Sequence, residues 1–289
     1  MQDFRMETFL AVCSCMNYTK AAQMLNLTQP AVSQHIHFLE NYYGVKLFGQ
    51  RGRRIYLTEA GALLRRTALT MKHDELHLRD QMSLAERQSR RYLFGATRTV
   101  AEYILPPDLA RFAARVPGEV QMQVDNTRAL LTRMDEGILD FAVVEGDFPK
   151  RDYDFIPYRV ERYVAAATPA VAATLAGHPV EDLLDQTLLL REEGSGTREI
   201  LERYLAGRGL APHDFARVME LGNIGAIKAL VRAGVGVTFL YETALQENDG
   251  IARVELRDFD ITHDIVFVFR KNSIFREEYR DIYRKFTEA

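Results

Sequence analysis

The chain has no tryptophan, two cysteines in 289 residues, and no run approaching the roughly 20 apolar residues that cross a bilayer. That last absence excludes a transmembrane helix. The opening Met1-Gln2-Asp3-Phe4-Arg5 has neither the basic start nor the apolar stretch of a secretion signal, so the expected location is the cytoplasm. Cys13 and Cys15 stand two residues apart in a helical pattern, and side chains at that spacing point to different faces. An internal disulfide is therefore not expected. The pair reads as small apolar residues in a reducing compartment, with a redox or metal role the lesser alternative.

Catalytic and cofactor motifs are missing as well. Gly95-Ala96-Thr97 and Gly194-Ser195-Gly196 have the spacing of neither a dinucleotide fingerprint nor a phosphate-binding loop. Ser195 lacks a nucleophile elbow and a nearby histidine base. Of seven histidines, one helical pair stands out, His73 and His77 at i, i+4. With Asp74 or Asp80 it could hold a metal, but a solvated helix face is the stronger reading. No enzyme activity, metal or cofactor is expected.

What is present begins with an uneven charge. The net −3 hides a head, residues 1–91, with 13 Lys and Arg against 8 Asp and Glu, a net of +5; the remainder holds 24 against 32, a net of −8. A basic head on an acidic body points to a polyanion that meets only the head. At this length two or three domains are expected, and 47% hydrophobic with 27% charged residues is ordinary for a globular chain.

The first 58 residues carry the most specific pattern. Phe4, Met6, Phe9, Leu10 and Val12 recur at helical spacing, and Asn17-Tyr18-Thr19 interrupts them, with Thr19 a candidate cap for a short helix through Leu25. Thr28 caps a third helix whose first turn holds Gln29 and Pro30, where a missing N–H costs nothing. Val32, Ile36 and Leu39 form its buried stripe. Two short helices joined by a tight turn make a helix-turn-helix, and Gln29, Ser33 and Gln34 lie on the edge left free to meet base edges. Leu47 to Thr58 reads as strand, basic turn and strand, a wing whose Arg51, Arg53 and Arg54 suit phosphates or a minor groove.

The run from Phe4 to Gly61 resembles the DNA-binding domain of the LysR-type transcriptional regulators. The resemblance rests on Ala21-Ala22, Thr28 through Ser33, Leu39-Glu40, Gly44-Val45, Leu47-Phe48, Gly52-Arg53-Arg54 and Leu57 through Gly61. His37 and Gln50 depart from it, standing where the family usually has basic residues. The resemblance implies Thr28, Gln29, Pro30, Ser33, Gln34 and His37 on the recognition helix, with the three wing arginines, as the DNA-contacting set.

From Ala60 to about Arg90 only Gly61 breaks an otherwise helical stretch with Leu63, Leu64, Ala68, Met71, Leu76, Leu78, Met82 and Leu84 at near-helical spacing. About 28 residues at about 1.5 Å each reach roughly 42 Å. Such a stripe needs a partner: a second copy, giving a dimer, or the chain's own body. The resemblance implies the dimerising linker.

Beyond residue 91 strands and helices alternate, which argues for parallel α/β sheets. Strands are expected near 92–96, 120–124, 139–144, 163–167, 187–190, 217–221, 235–240 and 265–269. The body resembles the LysR-type effector domain, itself similar to periplasmic binding proteins: two α/β lobes joined by two crossing strands around a ligand. The expected division is 1–59 winged helix-turn-helix, 60–90 linker helix and 91–289 effector domain. Within the last, lobe one covers about 92–161 with 266–289, and lobe two about 162–265.

A ligand in such a fold sits at strand ends, where helix N-termini offer free N–H groups. Thr97-Arg98-Thr99 and the stretch Arg191-Glu192-Glu193-Gly194-Ser195-Gly196-Thr197-Arg198 fit, the latter combining small glycines, hydroxyls at Ser195 and Thr197 and the Arg198 guanidinium, a set suited to an anion. An ordinary capping turn is the alternative there. Glu145 and Asn223 are weaker candidates. The function implied is a DNA-binding regulator controlled by a small anionic metabolite, acting as a homodimer or homotetramer on double-stranded DNA. A solute-binding protein that ignores DNA, and an enzyme fused to a DNA-binding head, are the rivals.

Overall fold

The computed structural model describes residues 3–52, 54–85, 90–146 and 148–288. In the head, Asp3 caps α1 (Phe4–Cys15) by accepting a hydrogen bond from the Arg5 amide. Helix α2 (Tyr18–Met24) is capped by Asn17, which accepts from the Lys20 amide, rather than by Thr19. Asn17 wins because its extended backbone aims its short side chain at the free amides of the first turn. Helix α3 (Gln29–Tyr43) starts at the Thr28 cap, carries Pro30 in its first turn and ends at Gly44, whose φ of 69° is left-handed. Val32, Ile36 and Leu39 are buried against Phe9, Val12 and Ala21. Strands β1 (Phe48–Arg51) and β2 (Arg54–Leu57) pair antiparallel as the wing; Arg53 lies outside the described residues.

Helix α4 (Glu59–Ala85) is 27 residues long, about 40 Å at about 1.5 Å per residue. One of its faces lies on the body of its own chain. Ala68, Thr70, His73 and Asp74 are buried there. His73 Nε2 meets the Leu139 carbonyl at 3.0 Å, and Asp74 accepts from Ser273 Oγ at 2.6 Å and from the Ile274 amide at 3.0 Å. His77 Nδ1 lies 2.7 Å from Asp140 Oδ1. The histidine pair expected on a solvated face instead turns toward the body, His73 buried and His77 half-buried, because Leu139, Asp140 and Glu278 supply polar partners. Burial opposes the His77 charge, but hydrogen bonds and charge from Asp140 and Glu278 outweigh it and push the imidazole up to about 9. On another part of the helix Leu63, Met71, Leu78 and Met82 remain exposed.

The body opens with β3 (Arg91–Thr97), a π-helical turn over Val100–Ile104 and α5 (Pro106–Arg115). Then come β4 (Glu119–Asp125), α6 (Thr127–Asp135) and β5 (Phe141–Val144). Strand β3 is parallel to both β4 and β5. The long β6 (Tyr153–Ala167) leads into α7 (Pro169–Thr174), β7 (Thr187–Arg191), α8 (Gly196–Ala206), β8 (Arg217–Leu221), α9 (Ile224–Arg232), β9 (Thr238–Tyr241) and β10 (Ala252–Val254). The chain returns through β11 (Ile261–Arg270) to α10 (Arg276–Thr287).

Strands β6 and β11 pair antiparallel from Tyr153↔Arg270 to Tyr163↔Ile261, with one register shift at Ile265/Val266. They are the two strands that cross between lobes, and they make the sheet mixed rather than parallel. Their polar outer stretches, 153–162 and 261–264, alternate with exposed residues and so escaped the search for buried apolar runs. Lobe one packs Phe94, Phe141, Phe267 and Phe286, with Phe141–Phe267 ring centroids 4.5 Å apart. Lobe two packs Tyr163, Leu188, Leu201, Phe239 and Phe259.

Candidate nucleic-acid interface and inter-lobe site

On α3 the apolar stripe faces inward, which leaves Gln29, Pro30, Gln34 and His37 exposed and Ser33 half-buried along one polar edge. The edge is held rigidly. Thr8 Oγ1 lies 2.9 Å from His35 Nδ1, and the Phe4 ring meets His35 edge-on at 5.5 Å, fixing α1 on α3. His37 sits 3.6 Å from Glu40, which is itself 2.6 Å from Lys46. At the wing, Gln50 donates to the Gly52 carbonyl at 2.8 Å, and Arg51 lies 5.4 Å over the Tyr56 ring. Arg51 and Arg54 are exposed. A row of short polar side chains beside a basic hairpin is shaped for base edges and phosphates.

The second constellation lies where lobe one meets lobe two. Gly146 and Gly196 approach so closely that a Cβ on Gly146 would stand 2.5 Å from Gly196 Cα, and one on Gly196 only 2.6 Å from the Glu145 carbonyl. No larger residue fits at that contact. Around it Thr97, Thr99, Glu145, Ser195 and Thr197 are all buried. Thr97 Oγ1 donates to Glu145 Oε2 at 2.7 Å, Ser195 Oγ and Thr197 Oγ1 are 2.9 Å apart, and Tyr163 Oη donates to the Thr197 carbonyl at 2.7 Å. Ser195 therefore spends its hydroxyl on Thr197 instead of capping α8. Burial drives the Glu145 carboxyl up to about 7, against the opposing pull of Thr97 and Arg191.

Two guanidinium groups differ in how far they are committed. Arg198 donates to Glu202, to Glu220 and to the Arg191 carbonyl, so it is committed within lobe two. Arg191, at the end of β7, is 5% exposed; its Nε and Nη2 bond Glu192, while Nη1 has no hydrogen-bond partner. Thr99 Oγ1 and Tyr241 Oη share that condition. Tyr241, at the end of β9, was missed in the sequence, and Arg191 was read only as the first residue of the stretch to Arg198, with nothing local to mark it as the uncommitted guanidinium. Arg98 straps the lobes together, donating to the Gly222 carbonyl at 2.7 Å with Asp125 and Glu192 nearby. Asn223 is exposed and caps α9 through the Ala226 amide.

A winged helix-turn-helix joined by one long helix to a two-lobed α/β body defines a DNA-binding regulator with an effector domain. Residues 4–62 match the bacterial regulatory helix-turn-helix of the lysR family, and residues 85–282 match the LysR substrate binding domain. The chain belongs to the LysR family of transcriptional regulators. It is 32% identical over 266 residues to the HTH-type transcriptional regulator CbbR of Rhodospirillum rubrum, covering 89% of this chain and 85% of that one. It is 32% identical over 246 residues to the uncharacterized regulator YeiE of Escherichia coli K12, covering 84% and 81%. Among solved structures, the regulatory domain of CcmR from Synechocystis in complex with 2-PG is similar with TM-score 0.59 and 23% identity, over 69% of this chain and 99% of that one. No helix among the described residues is long and apolar enough to cross a membrane.

Proposed function

We propose that the α3 edge formed by Gln29, Ser33 and Gln34 reads base edges in the major groove, with Thr28, Pro30 and His37 beside it. The wing arginines Arg51, Arg53 and Arg54 hold the flanking backbone. The observation that carries this is the outward-facing polar edge on a helix whose opposite stripe is buried. The protein acts in the cytoplasm and needs no catalytic step. Its domains divide as 1–59, 60–90 and 91–289. Two copies pair through the exposed Leu63, Met71, Leu78 and Met82 of α4, and two such pairs form a tetramer on separate half-sites.

The regulating ligand is a small anion held between the lobes. Support comes from Arg191 Nη1, Thr99 Oγ1 and Tyr241 Oη, three buried donors without partners at the inter-lobe contact, and from the amides that open α8. That CcmR binds 2-PG in a domain of this fold agrees with an anionic class. Of the expected residues, Thr97, Thr99, Glu145, Ser195, Gly196 and Thr197 surround the site, Arg98 gates it, and Arg198 and Asn223 act indirectly. Ligand closure shifts the lobes only through different affinity for two arrangements. A gel shift with the segment upstream of the protein's own gene tests the reading, with and without a panel of organic and inorganic anions. A shift altered by one anion and unaltered by it in Ser195→Ala is expected. Absence of any shift at low salt contradicts DNA recognition, and a normal response in Ser195→Ala contradicts the inter-lobe assignment.

A further inference from the structure

A recognition helix lies against a polyanion, yet α3 (Gln29–Tyr43) carries no lysine or arginine. Its one fixed charge is the carboxylate of Glu40. Fixed cations of the head stand on other elements, among them Lys20 on α2, Lys46 beyond the end of α3, and Arg51 and Arg54 in the wing. Lys46 is spent on Glu40: its Nζ lies 2.6 Å from Oε2, while Oε1 accepts from the Leu47 amide at 3.0 Å. Any positive charge on α3 itself must therefore come from its two histidines, His35 and His37.

The two are placed differently. His35 is half-buried and turned to α1, its Nδ1 2.9 Å from Thr8 Oγ1 and its ring against Phe4, with the Asp3 charge nearby. His37 stands in one row with Gln29 and Ser33, at steps of one helical turn, and its side chain is 64% exposed. Its Nδ1 is 3.6 Å from Glu40 Oε2, an ion pair only when the ring is protonated. That leaves Nε2, across the ring, for a group outside the protein. A neutral imidazole has one donor and one acceptor, whereas an imidazolium has two donors. A duplex offers acceptors, phosphate oxygens and the O6 and N7 of guanine, which suit the second form. Histidine is the side chain whose ordinary change of charge falls between about pH 5 and about pH 8.

We propose that His37 meets DNA as the imidazolium, so that the protein takes up a proton when it engages its site and binds more tightly as pH falls through neutrality. The inference rests on the α3 edge proposed above and makes one of its contacts conditional on a proton. The protonated ring pairs with Glu40 through Nδ1 and donates to a phosphate or guanine acceptor through Nε2. The charged groups facing it are Glu40 and, behind Glu40, Lys46. Burial opposes the Glu40 charge, but hydrogen bonds from Lys46 and the Leu47 amide outweigh it and hold the carboxyl below its ordinary range. Glu40 is therefore a fixed counter-charge throughout the window. By linkage, the proton strengthens DNA binding by the same factor as DNA strengthens proton binding.

The test is fluorescence anisotropy of the full chain on the duplex upstream of its own gene and on a random duplex of equal length. It runs at constant salt from about pH 8 to about pH 6. The wild type should bind the upstream duplex at least about fivefold more tightly at the acidic end. His37→Gln, at an exposed position, should flatten that rise and keep the wild-type affinity at the alkaline end. His37→Arg should flatten it too, but by binding tightly at both ends. The same rise on the random duplex means that Nε2 meets a phosphate, and a rise on the upstream duplex alone means a guanine edge. Glu145, raised to about 7 in the body, is common to all three chains, so the difference between wild type and His37→Gln is the readout. The proposal is overturned if His37→Gln follows the wild-type profile, whether that profile rises or is flat. A wild type that binds neither duplex at low salt defeats the DNA reading and this inference with it, a result distinct from binding that ignores the substitution.

Discussion

The head and the body hold their working residues in opposite ways. In the head, Gln29, Ser33 and Gln34 come from one stretch of six residues on one helix edge, and they point out of the protein. In the body, Thr97, Glu145, Arg191 with Ser195, and Tyr241 come from four separated segments and are buried where two lobes press together. The head is a rigid surface waiting for a large polyanion. The body is a closed contact that leaves Arg191 Nη1, Thr99 Oγ1 and Tyr241 Oη without hydrogen-bond partners, the donors that the proposed function assigns to a small anion. A regulator needs both, and α4 is the element that touches each.

Predictions that break or sharpen this contrast run from large to small. The seam between α4 and lobe one should be among the most sensitive places in the chain. Arg270→Ala removes its bonds to Asp135, Thr70 and the Arg66 carbonyl and empties a fully buried position, and should cost about 3 kcal/mol in a urea melt. A loss below about 1 kcal/mol would mean that α4 does not rest on its own body in solution.

The pH dependence of stability separates the inter-lobe contact from the seam. Glu145 is raised from 4.5 to about 7, so its contribution is complete below about pH 4.5 and is lost as pH rises through 7. His77 is raised from 6.5 to about 9, so its contribution is complete below about 6.5 and is lost as pH rises through 9. Each shift corresponds to about 3 kcal/mol across its window. Glu145→Gln should flatten melting temperatures in the acidic window only, and His77→Gln in the basic window only. If both variants follow the wild-type profile, neither group is buried as described.

In the head the effects should be smaller and visible only with DNA present. Gln29→Ala or Ser33→Ala should lose about 1–3 kcal/mol on the preferred sequence and narrow the gap to random sequence, measured by fluorescence anisotropy. Arg54→Ala should weaken all sequences alike and reduce the slope of log affinity against log salt by about 1. A sequence-selective loss in Arg54→Ala would move the wing from backbone holding to base reading.

The same contrast decides what the sequence made legible. The head could be read residue by residue because its caps, its apolar stripe and its free edge are all local. Only the α2 cap was misplaced, by two residues, among neighbouring polar residues that can all cap a helix. In the body the strand-and-helix rhythm was readable, but the length of β6 and β11 was not, since their crossing halves alternate exposed and buried residues. The inter-lobe site was half legible. Small and hydroxyl residues at helix starts drew attention to Thr97, Ser195 and Thr197, which the structure brings together at the lobe contact, whereas the commitment of Arg198 depends on Glu202 and Glu220 capturing its guanidinium. That capture is a tertiary fact with no local signature. Likewise the burial of His73 and half-burial of His77 need Leu139, Asp140 and Glu278, more than sixty residues away in sequence.

The most direct test of the account is methylation protection of the segment upstream of the protein's own gene, comparing wild type with Gln29→Ala and Ser33→Ala. The wild type should protect major-groove positions in two half-sites separated by whole helical turns, and both variants should lose that protection while retaining salt-sensitive binding. Protection that is unchanged in both variants, or none at all with the wild type at low salt, would contradict a recognition helix at residues 29–43.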